Sequence, residues 1–277
     1  MLSLRSIRIA ASVLMSLGLV SLVGLAVLPG CSPTTGDSDK LVVAVTILPQ
    51  AGFVEAVGGD RVDVVVMVPP GASPHTYEVT PDQMMQLSRA AVYAKVGSPV
   101  EFELAWMDRL IAANRDMLVV DCATGIDLIH YDDHDHDDDH DHADDHEHAD
   151  DGHHHHGGPD PHIWLSVQNA KVMVSQICEG LVQVDPSHED HYRDRCADYL
   201  EELDALDREL EEALEDLENR RFLAFHPSFG YFARDYGLVQ MSVEQGGNEP
   251  DAQYLVRLIE EAKEHTIRLI LASPQFS

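Results

Sequence analysis

Positive charge is scarce in this chain of 277 residues. Lysine and arginine together number 18, against 49 aspartates and glutamates, which gives a formal net charge of -31 at pH 7. Nucleic-acid binding needs clustered cations that neutralise phosphates, so this balance argues against a nucleic-acid partner. Cations are the expected ligands. A hydrophobic content of 44% argues against disorder along the whole chain.

Cysteine is also scarce, and its spacing argues against a zinc–thiolate site. The four cysteines are Cys31, Cys122, Cys178 and Cys196, and no two of them form a CxxC pair. An HExxH motif is absent as well, which argues against a zinc hydrolase. Cys178 and Cys196 lie on either side of a predicted turn between two helices. In an oxidising compartment they either form a disulfide or remain buried thiols.

The first 31 residues carry the pattern of an export signal. Arg5 and Arg8 precede an uncharged apolar stretch over 9–28, and Cys31 follows Leu28-Pro29-Gly30. This arrangement resembles a bacterial lipoprotein signal, which would be cleaved before Cys31 and lipidated on its thiol. The alternative is an uncleaved anchor, because about 20 apolar residues span a bilayer. Both readings place the rest of the chain outside the cytoplasm, attached to a membrane.

Short apolar runs alternate with helical patterns from residue 40 onwards. Strands are predicted at 41–47, 62–68, 91–96, 117–120, 222–226, 238–243 and 267–272. Continuous apolarity without strict alternation is typical of strands buried on both faces of a parallel sheet. The sequence therefore predicts an α/β fold with two lobes, at 40–186 and 221–277. The second lobe has fewer predicted strands, and we expect the sequence to be incomplete there.

Residues 187–220 are predicted to form one helix that links the two lobes. They contain no glycine or proline, and leucines recur at intervals of three and four positions. Such a stripe predicts a helix of about 30 residues, and a coiled-coil dimer seam is the alternative reading. A stiff connector in a monomer is the preferred interpretation.

Residues 130–158 form a tract that is rich in histidine and in acidic residues. Between His130 and His156 there are eleven histidines and twelve acidic residues. This composition cannot form a core and predicts a mobile loop that binds zinc, nickel or copper weakly, with a merely solvating loop as the alternative. The histidines assigned to these auxiliary weak sites are His134, His136, His140, His142, His146, His148, His153, His154, His155 and His156.

Three histidines outside that tract share a context beside proline and turn residues. They are His75, His162 and His226, and His226 lies at the end of a predicted strand. Open α/β sheets bind ligands beyond the carboxyl ends of their strands. Three imidazoles would fill three positions of a tetrahedral zinc site, and Asp160 would accept the other ring N–H of His162. Each histidine taken alone is equally consistent with a packed, structural residue.

Several motifs in order resemble one family. Three segments are similar to motifs of the ZnuA/TroA-like metal-binding lipoproteins of ABC importers. They are Gly71-Ala72-Ser73-Pro74-His75-Thr76-Tyr77-Glu78, Asp160-Pro161-His162-Ile163-Trp164-Leu165 and Phe225-His226-Pro227-Ser228-Phe229-Gly230-Tyr231-Phe232. The resemblance implies two lobes joined by a rigid helix, with the metal in the cleft between them. It also implies that His75, His162 and His226 are the metal ligands.

The same resemblance implies a function without catalysis. The chain would capture zinc and deliver it to a membrane permease that is driven by an ATPase. Members that resemble manganese carriers have a carboxylate in place of His226, so zinc is favoured over manganese. The alternatives are a carrier of manganese or another divalent metal, a metal buffer or adhesin without a permease, and, less favoured, a zinc hydrolase.

Two departures from the family pattern leave the fourth metal ligand open. Pro74 stands where some zinc members have a glutamate, and the chain ends before the segment that supplies an aspartate in the family. Water, a residue of a missing segment or a residue not yet identified would then complete the site.

Overall fold

The computed structural model describes residues 40–130, 158–244 and 250–272. The predicted export signal with Cys31 lies outside the described residues, as do all the histidines assigned to the weak loop sites. In the part of the chain that is described, no helix is both long enough and apolar enough to cross a membrane.

The first lobe is built on a four-stranded sheet in which every pair of neighbours is parallel. Its strands are β1 (Leu41–Val45), β2 (Val62–Val66), β3 (Val92–Lys95) and β4 (Leu118–Asp121), in the order β2-β1-β3-β4. The middle of β1 is fully buried, as expected for a central strand covered on both faces. The predicted parallel α/β architecture is confirmed.

Four helices flank this sheet. They are α1 (Leu48–Gly58), α2 (Pro81–Leu87), α3 (Glu101–Ala113) and α4 (Val167–Val184). Two begin at clear N-caps: the Thr80 hydroxyl accepts from the Gln83 amide at 3.3 Å, and the Ser166 hydroxyl accepts from the Asn169 amide at 3.0 Å. The amide nitrogens at the start of these helices thereby gain partners.

The long helix predicted between the lobes is α5 (Glu189–Glu215), with 27 residues. At 1.5 Å per residue it is about 40 Å long. It packs antiparallel to α4, because the contacts run in opposite directions along the two helices: Glu179 pairs with Arg193, and Lys171 pairs with Asp204. Tyr192, Cys196 and Leu203 are buried on its inner face.

The second lobe contains a smaller parallel sheet. Its strands β5 (Arg221–Ala224), β6 (Val239–Ser242) and β7 (Ile270–Leu271) lie in the order β6-β5-β7, and the helices are α6 (Gly230–Asp235) and α7 (Ala252–Glu264). The three predicted strands are present, although β7 is much shorter than the predicted 267–272. Small buried clusters around Ala224 and Leu223 form its core.

Helix α6 ties the two lobes together. Tyr231 is fully buried within the core of the first lobe. Its hydroxyl donates to the Asp160 carbonyl at 2.7 Å and accepts from the Ile129 amide at 3.2 Å. At the end of the same helix, the Tyr236 hydroxyl donates to Asp207 of α5 at 2.8 Å, and Asp235 accepts from the Ser166 hydroxyl.

The sequence allowed a disulfide between Cys178 and Cys196, and this disulfide is not formed in the structure. Cys178 and Cys196 are both buried free thiols, and so is Cys122. The thiol of Cys178 lies 3.7 Å from the Tyr192 carbonyl, in the interface between α4 and α5. The two sulfurs are thus part of the apolar packing between these helices.

Candidate metal centre

His75 lies in the loop that leaves the carboxyl end of β2. Its amide donates to the Ser73 hydroxyl at 3.3 Å, and the carbonyl of Pro74 accepts from the Phe102 amide of α3 at 3.1 Å. Gly71 in the same loop has a φ of 84°, a conformation that favours glycine. The loop is therefore folded back against the start of α3, with His75 at its turn.

His162 lies in a second loop, just before the short 3-10 turn Ile163–Leu165. The Asp160 amide donates to the Ile129 carbonyl at 2.7 Å, and the Ser98 hydroxyl donates to the Pro161 carbonyl at 2.6 Å. These bonds fix the chain on both sides of Pro161. Asp160 is almost fully buried, and its carboxylate accepts from the His162 amide at 2.9 Å.

His226 follows β5 at the carboxyl edge of the second sheet, where open α/β folds bind ligands. The amide of the preceding Phe225 donates to the Leu271 carbonyl at 2.7 Å, which prolongs the pairing of β5 with β7. The ring of His226 is buried.

The structure brings these three histidines together. One ligand nitrogen from each lies within 4.8 Å of the other two. The Nε2 atoms of His162 and His226 are 3.1 Å apart. In a tetrahedral zinc site with Zn–N bonds of about 2.0–2.1 Å, neighbouring ligand nitrogens are separated by roughly 3.3 Å. The buried pair is therefore spaced for zinc, and the more exposed His75 needs only a small shift.

Each of the three rings has a carboxylate at its Nδ1 atom. Glu101 lies 2.7 Å from Nδ1 of His75, Asp160 lies 2.8 Å from Nδ1 of His162, and Glu244 lies 2.7 Å from Nδ1 of His226. Ligating histidines commonly donate their second ring N–H in this way, which fixes the tautomer. With Nδ1 engaged, the Nε2 atoms of His162 and His226 face each other.

Sequence reasoning singled out Asp160 but missed Glu101 and Glu244. Asp160 precedes its histidine by two residues, whereas Glu244 is 18 residues from His226. One signal was available for Glu244, because it follows the carboxyl end of β6, at the same edge of the sheet as His226. Glu101 opens α3 and offered no comparable signal.

The electrostatics of the cluster follow from burial and from the acids. Burial lowers the pKa of His226, the nearby His162 and His75 lower it further, and Glu244 only partly opposes this. For Glu101, burial raises the pKa, but the contact with His75 and the charges of the rings outweigh it, so the carboxyl pKa lies below its usual value. A neutral imidazole beside an ionised carboxylate is the form that a metal ion requires.

The other described histidines do not join this cluster. Nδ1 of His188 lies 2.7 Å from Asp185, and Nε2 of His191 lies 3.1 Å from the Gly58 carbonyl. Within the described residues, the only group of three or more histidine, cysteine or acidic side chains with suitably close ligand atoms is His75, His162 and His226. No fourth protein ligand completes it there.

Comparison with known proteins places the chain in one family. The family model described as zinc-uptake complex component A, periplasmic (ZnuA), matches residues 43–277. The high-affinity zinc uptake system protein ZnuA of Bacillus subtilis (strain 168) is 30% identical over 247 residues, which cover 87% of this chain and 74% of that protein. The manganese ABC transporter substrate-binding lipoprotein PsaA of Streptococcus anginosus is 26% identical over 243 residues, which cover 83% of this chain and 71% of that protein.

A crystal structure of ZnuA shares the fold. It aligns with a TM-score of 0.75 and 38% sequence identity, over 86% of this chain and 84% of that one. The two-lobed architecture, the resemblance drawn from the motifs and the expectation of a protein that is not an enzyme are all confirmed. The chain belongs to the ZnuA family of periplasmic metal-binding proteins, the solute-binding components of metal transporters.

Proposed function

We propose that this chain captures zinc at His75, His162 and His226 and delivers it to the permease of an ABC importer, which an ATPase drives. The observation that carries the proposal is the convergence of three ring nitrogens within 4.8 Å of one another. Each ring also has a carboxylate at its other nitrogen. This arrangement is typical of histidines that bind zinc.

Zinc is favoured over manganese by the chemistry of the donor set. Imidazole nitrogen suits zinc, whereas manganese prefers carboxylate, carbonyl and water oxygens. The three converging donors are all nitrogens. Manganese remains the second candidate, because one relative is named as a manganese-binding lipoprotein and the carboxylates of Glu101 and Glu244 are close to the rings.

The tract 130–158 and the first 31 residues supply the remaining parts of the proposal. The ten histidines assigned to the tract would bind further ions weakly and raise the concentration of zinc near the cleft. Lipidation of Cys31 would hold the protein on the outer face of a membrane, close to the permease.

Calorimetric titration of the form that begins after Cys31, first with zinc and then with manganese, tests metal capture. We expect one tight zinc event, several weaker ones and weaker binding of manganese. His226→Ala should abolish the tight event, while the matched control His265→Ala, which removes a histidine outside the cluster, should keep it. Deleting 131–157 should remove the weaker events and leave the tight one.

Delivery requires a separate measurement. In cells that lack their own zinc-binding component, the wild-type chain should restore growth at limiting zinc, and His226→Ala should not. Tight binding in vitro without any rescue would favour a metal buffer or adhesin over a transport component.

A further inference from the structure

Two carboxylates that no sequence motif marks are in direct contact with the histidine cluster. Glu101 Oε2 is 2.7 Å from His75 Nδ1, and Glu244 Oε2 is 2.7 Å from His226 Nδ1. They come from different lobes, Glu101 from the start of α3 and Glu244 from the residues after β6. Glu244 forms a hydrogen bond with its ring as Asp160 does with His162, and Glu101 lies at the same close distance from the ring of His75.

The position of Glu101 is fixed by its own helix. Two residues further along α3, the buried carboxylate of Glu103 accepts from the Val96 amide at 2.5 Å and from the Gly97 amide at 3.0 Å. It also accepts from the Thr46 hydroxyl at 2.5 Å. These bonds fasten the first turn of α3 to the carboxyl ends of β1 and β3, so Glu101 is held beside the loop of His75.

Glu244 is fixed by the backbone next to its histidine. Its amide donates to the Phe225 carbonyl at 3.0 Å, and Phe225 is the residue before His226. The side chains of His226 and Glu244 are 8% and 15% exposed, against 25% and 41% for His75 and Glu101. The contact in the second lobe is therefore the better shielded from water.

We propose that Glu101 and Glu244 are positioning residues for zinc capture. Glu244 accepts the Nδ1 hydrogen of His226, and Glu101 lies within reach of the Nδ1 hydrogen of His75. Each carboxylate thereby favours the neutral tautomer that leaves the Nε2 lone pair available to a metal ion. Neither carboxylate is a metal ligand. This inference rests on the proposed function, because it assigns a role in orienting the ligands of the zinc site.

The two contacts should differ in strength. A hydrogen bond to a charged group is stronger where water is excluded, because the local dielectric constant is lower. Loss of such a partner typically costs about 10–100-fold in metal affinity. We expect Glu244→Gln to fall near the upper end of that range and Glu101→Gln near the lower end.

The test combines a zinc titration with a spectroscopic measurement on the metal-free protein. Glu101→Gln, Glu244→Gln and the control Glu209→Gln, on the exposed face of α5, are compared with the wild type. At pH 8, the ring ¹⁵N shifts report the tautomer of each histidine. We expect the Nδ1–H tautomer for His75 and His226 in the wild type and control, and a loss of that preference only in the ring whose glutamate is changed.

The outcomes separate this inference from the proposed function. If both glutamine variants keep the wild-type tautomers and zinc affinity while His226→Ala loses tight binding, the positioning role is overturned and the proposed function stands. If His226→Ala also keeps tight binding, the proposed function itself fails. If X-ray absorption shows that zinc loses an oxygen ligand in Glu101→Gln or Glu244→Gln, that residue is a ligand and the inference is wrong. If Glu244→Gln does not fold, Glu244→Ala, which also removes the carboxylate, replaces it with the same expected result.

Discussion

A buried imidazole binds protons less readily than an exposed one, and this governs competition between protons and metal at His226. Burial is the main cause of its lowered pKa, and the neighbouring rings of His162 and His75 add to it. Metal binds the neutral ring, so a lower pKa means that protons begin to displace the metal only at a lower pH. Ordinary imidazoles, with a pKa of about 6.5, are displaced earlier.

The first prediction concerns this difference in pH dependence. As the pH falls through about 6.5, the weak zinc events assigned to 131–157 should weaken first, while the tight event persists to a lower pH. Zinc titrations at a series of pH values between 7.5 and 5.5 would measure both. Parallel loss of the tight and weak events would contradict the role of burial at His226.

Individual residues were predictable from the sequence where their partners are local. The contact between Asp160 and His162 spans two residues and is visible in the motif itself. The pairing of His226 with Glu244 depends on β5 and β6 lying side by side, and the pairing of His75 with Glu101 depends on how α3 is anchored. Those contacts are set by tertiary packing, which spacing along the chain does not encode.

Among the elements, α6 connects the two lobes directly, because Tyr231 of this helix is buried in the core of the first lobe. Its hydroxyl bonds both Ile129 and Asp160, the residues that lead into the loop of His162. A buried hydrogen-bond network of this kind is costly to break, since the remaining groups must lose their partners or admit water.

The second prediction is that Tyr231→Phe lowers the free energy of unfolding by about 1–3 kcal/mol. Tyr199→Phe is the matched control, because in the described part of the chain its hydroxyl makes no hydrogen bond. Its effect should be smaller than about 0.5 kcal/mol. Urea denaturation of the three proteins measures this, and equal effects of the two substitutions would show that the Tyr231 hydroxyl does not stabilise the junction.

Element types were predicted more reliably than their ends. The long helix was expected over 187–220, but it begins at Glu189 and ends at Glu215. No glycine or proline marks that end. Instead, the Arg220 guanidinium donates to the carbonyls of Leu214 and Glu215 at 3.3 Å and 2.9 Å. These hydrogen bonds give partners to carbonyls in the last turn of the helix. The contact forms only when the chain has folded, so the sequence pattern does not show it.

For the molecule as a whole, the hydrogen bonds between the lobes restrict how far the cleft can open. Three side chains in or next to α6 form these hydrogen bonds: Tyr231 and Asp235 with residues of the first lobe, and Tyr236 with α5. The described residues of both lobes also belong to one compact unit. Metal capture and release should therefore proceed through small shifts near the histidines, and not through a wide hinge rotation.

The third prediction follows from this restriction. Solution X-ray scattering of the form that begins after Cys31 and lacks 131–157 should give the same radius of gyration with and without zinc, within experimental error. The deletion removes the histidines proposed to form the weak sites, so that only the proposed tight site is loaded. A clear contraction on adding zinc would show that the lobes close as rigid bodies and that the bonds made by α6 are broken during release.

The architecture of the whole molecule was largely predictable, because continuous apolar strands alternating with helices permit few alternatives to parallel α/β sheets. What the sequence could not specify was the completion of the site. Glu101 and Glu244, the acids that contact two of the three rings, come from the start of α3 and from the residues after β6, and only the folding of each lobe brings them to their histidines.

The central claim is that zinc binds between His75, His162 and His226, and anomalous X-ray diffraction from zinc-loaded crystals tests it most directly. Data collected on both sides of the zinc absorption edge should show one strong peak about 2.0–2.1 Å from the Nε2 atom of each of the three rings. A crystal in which the strongest peak lies elsewhere, with no peak among these three rings, would contradict the claim.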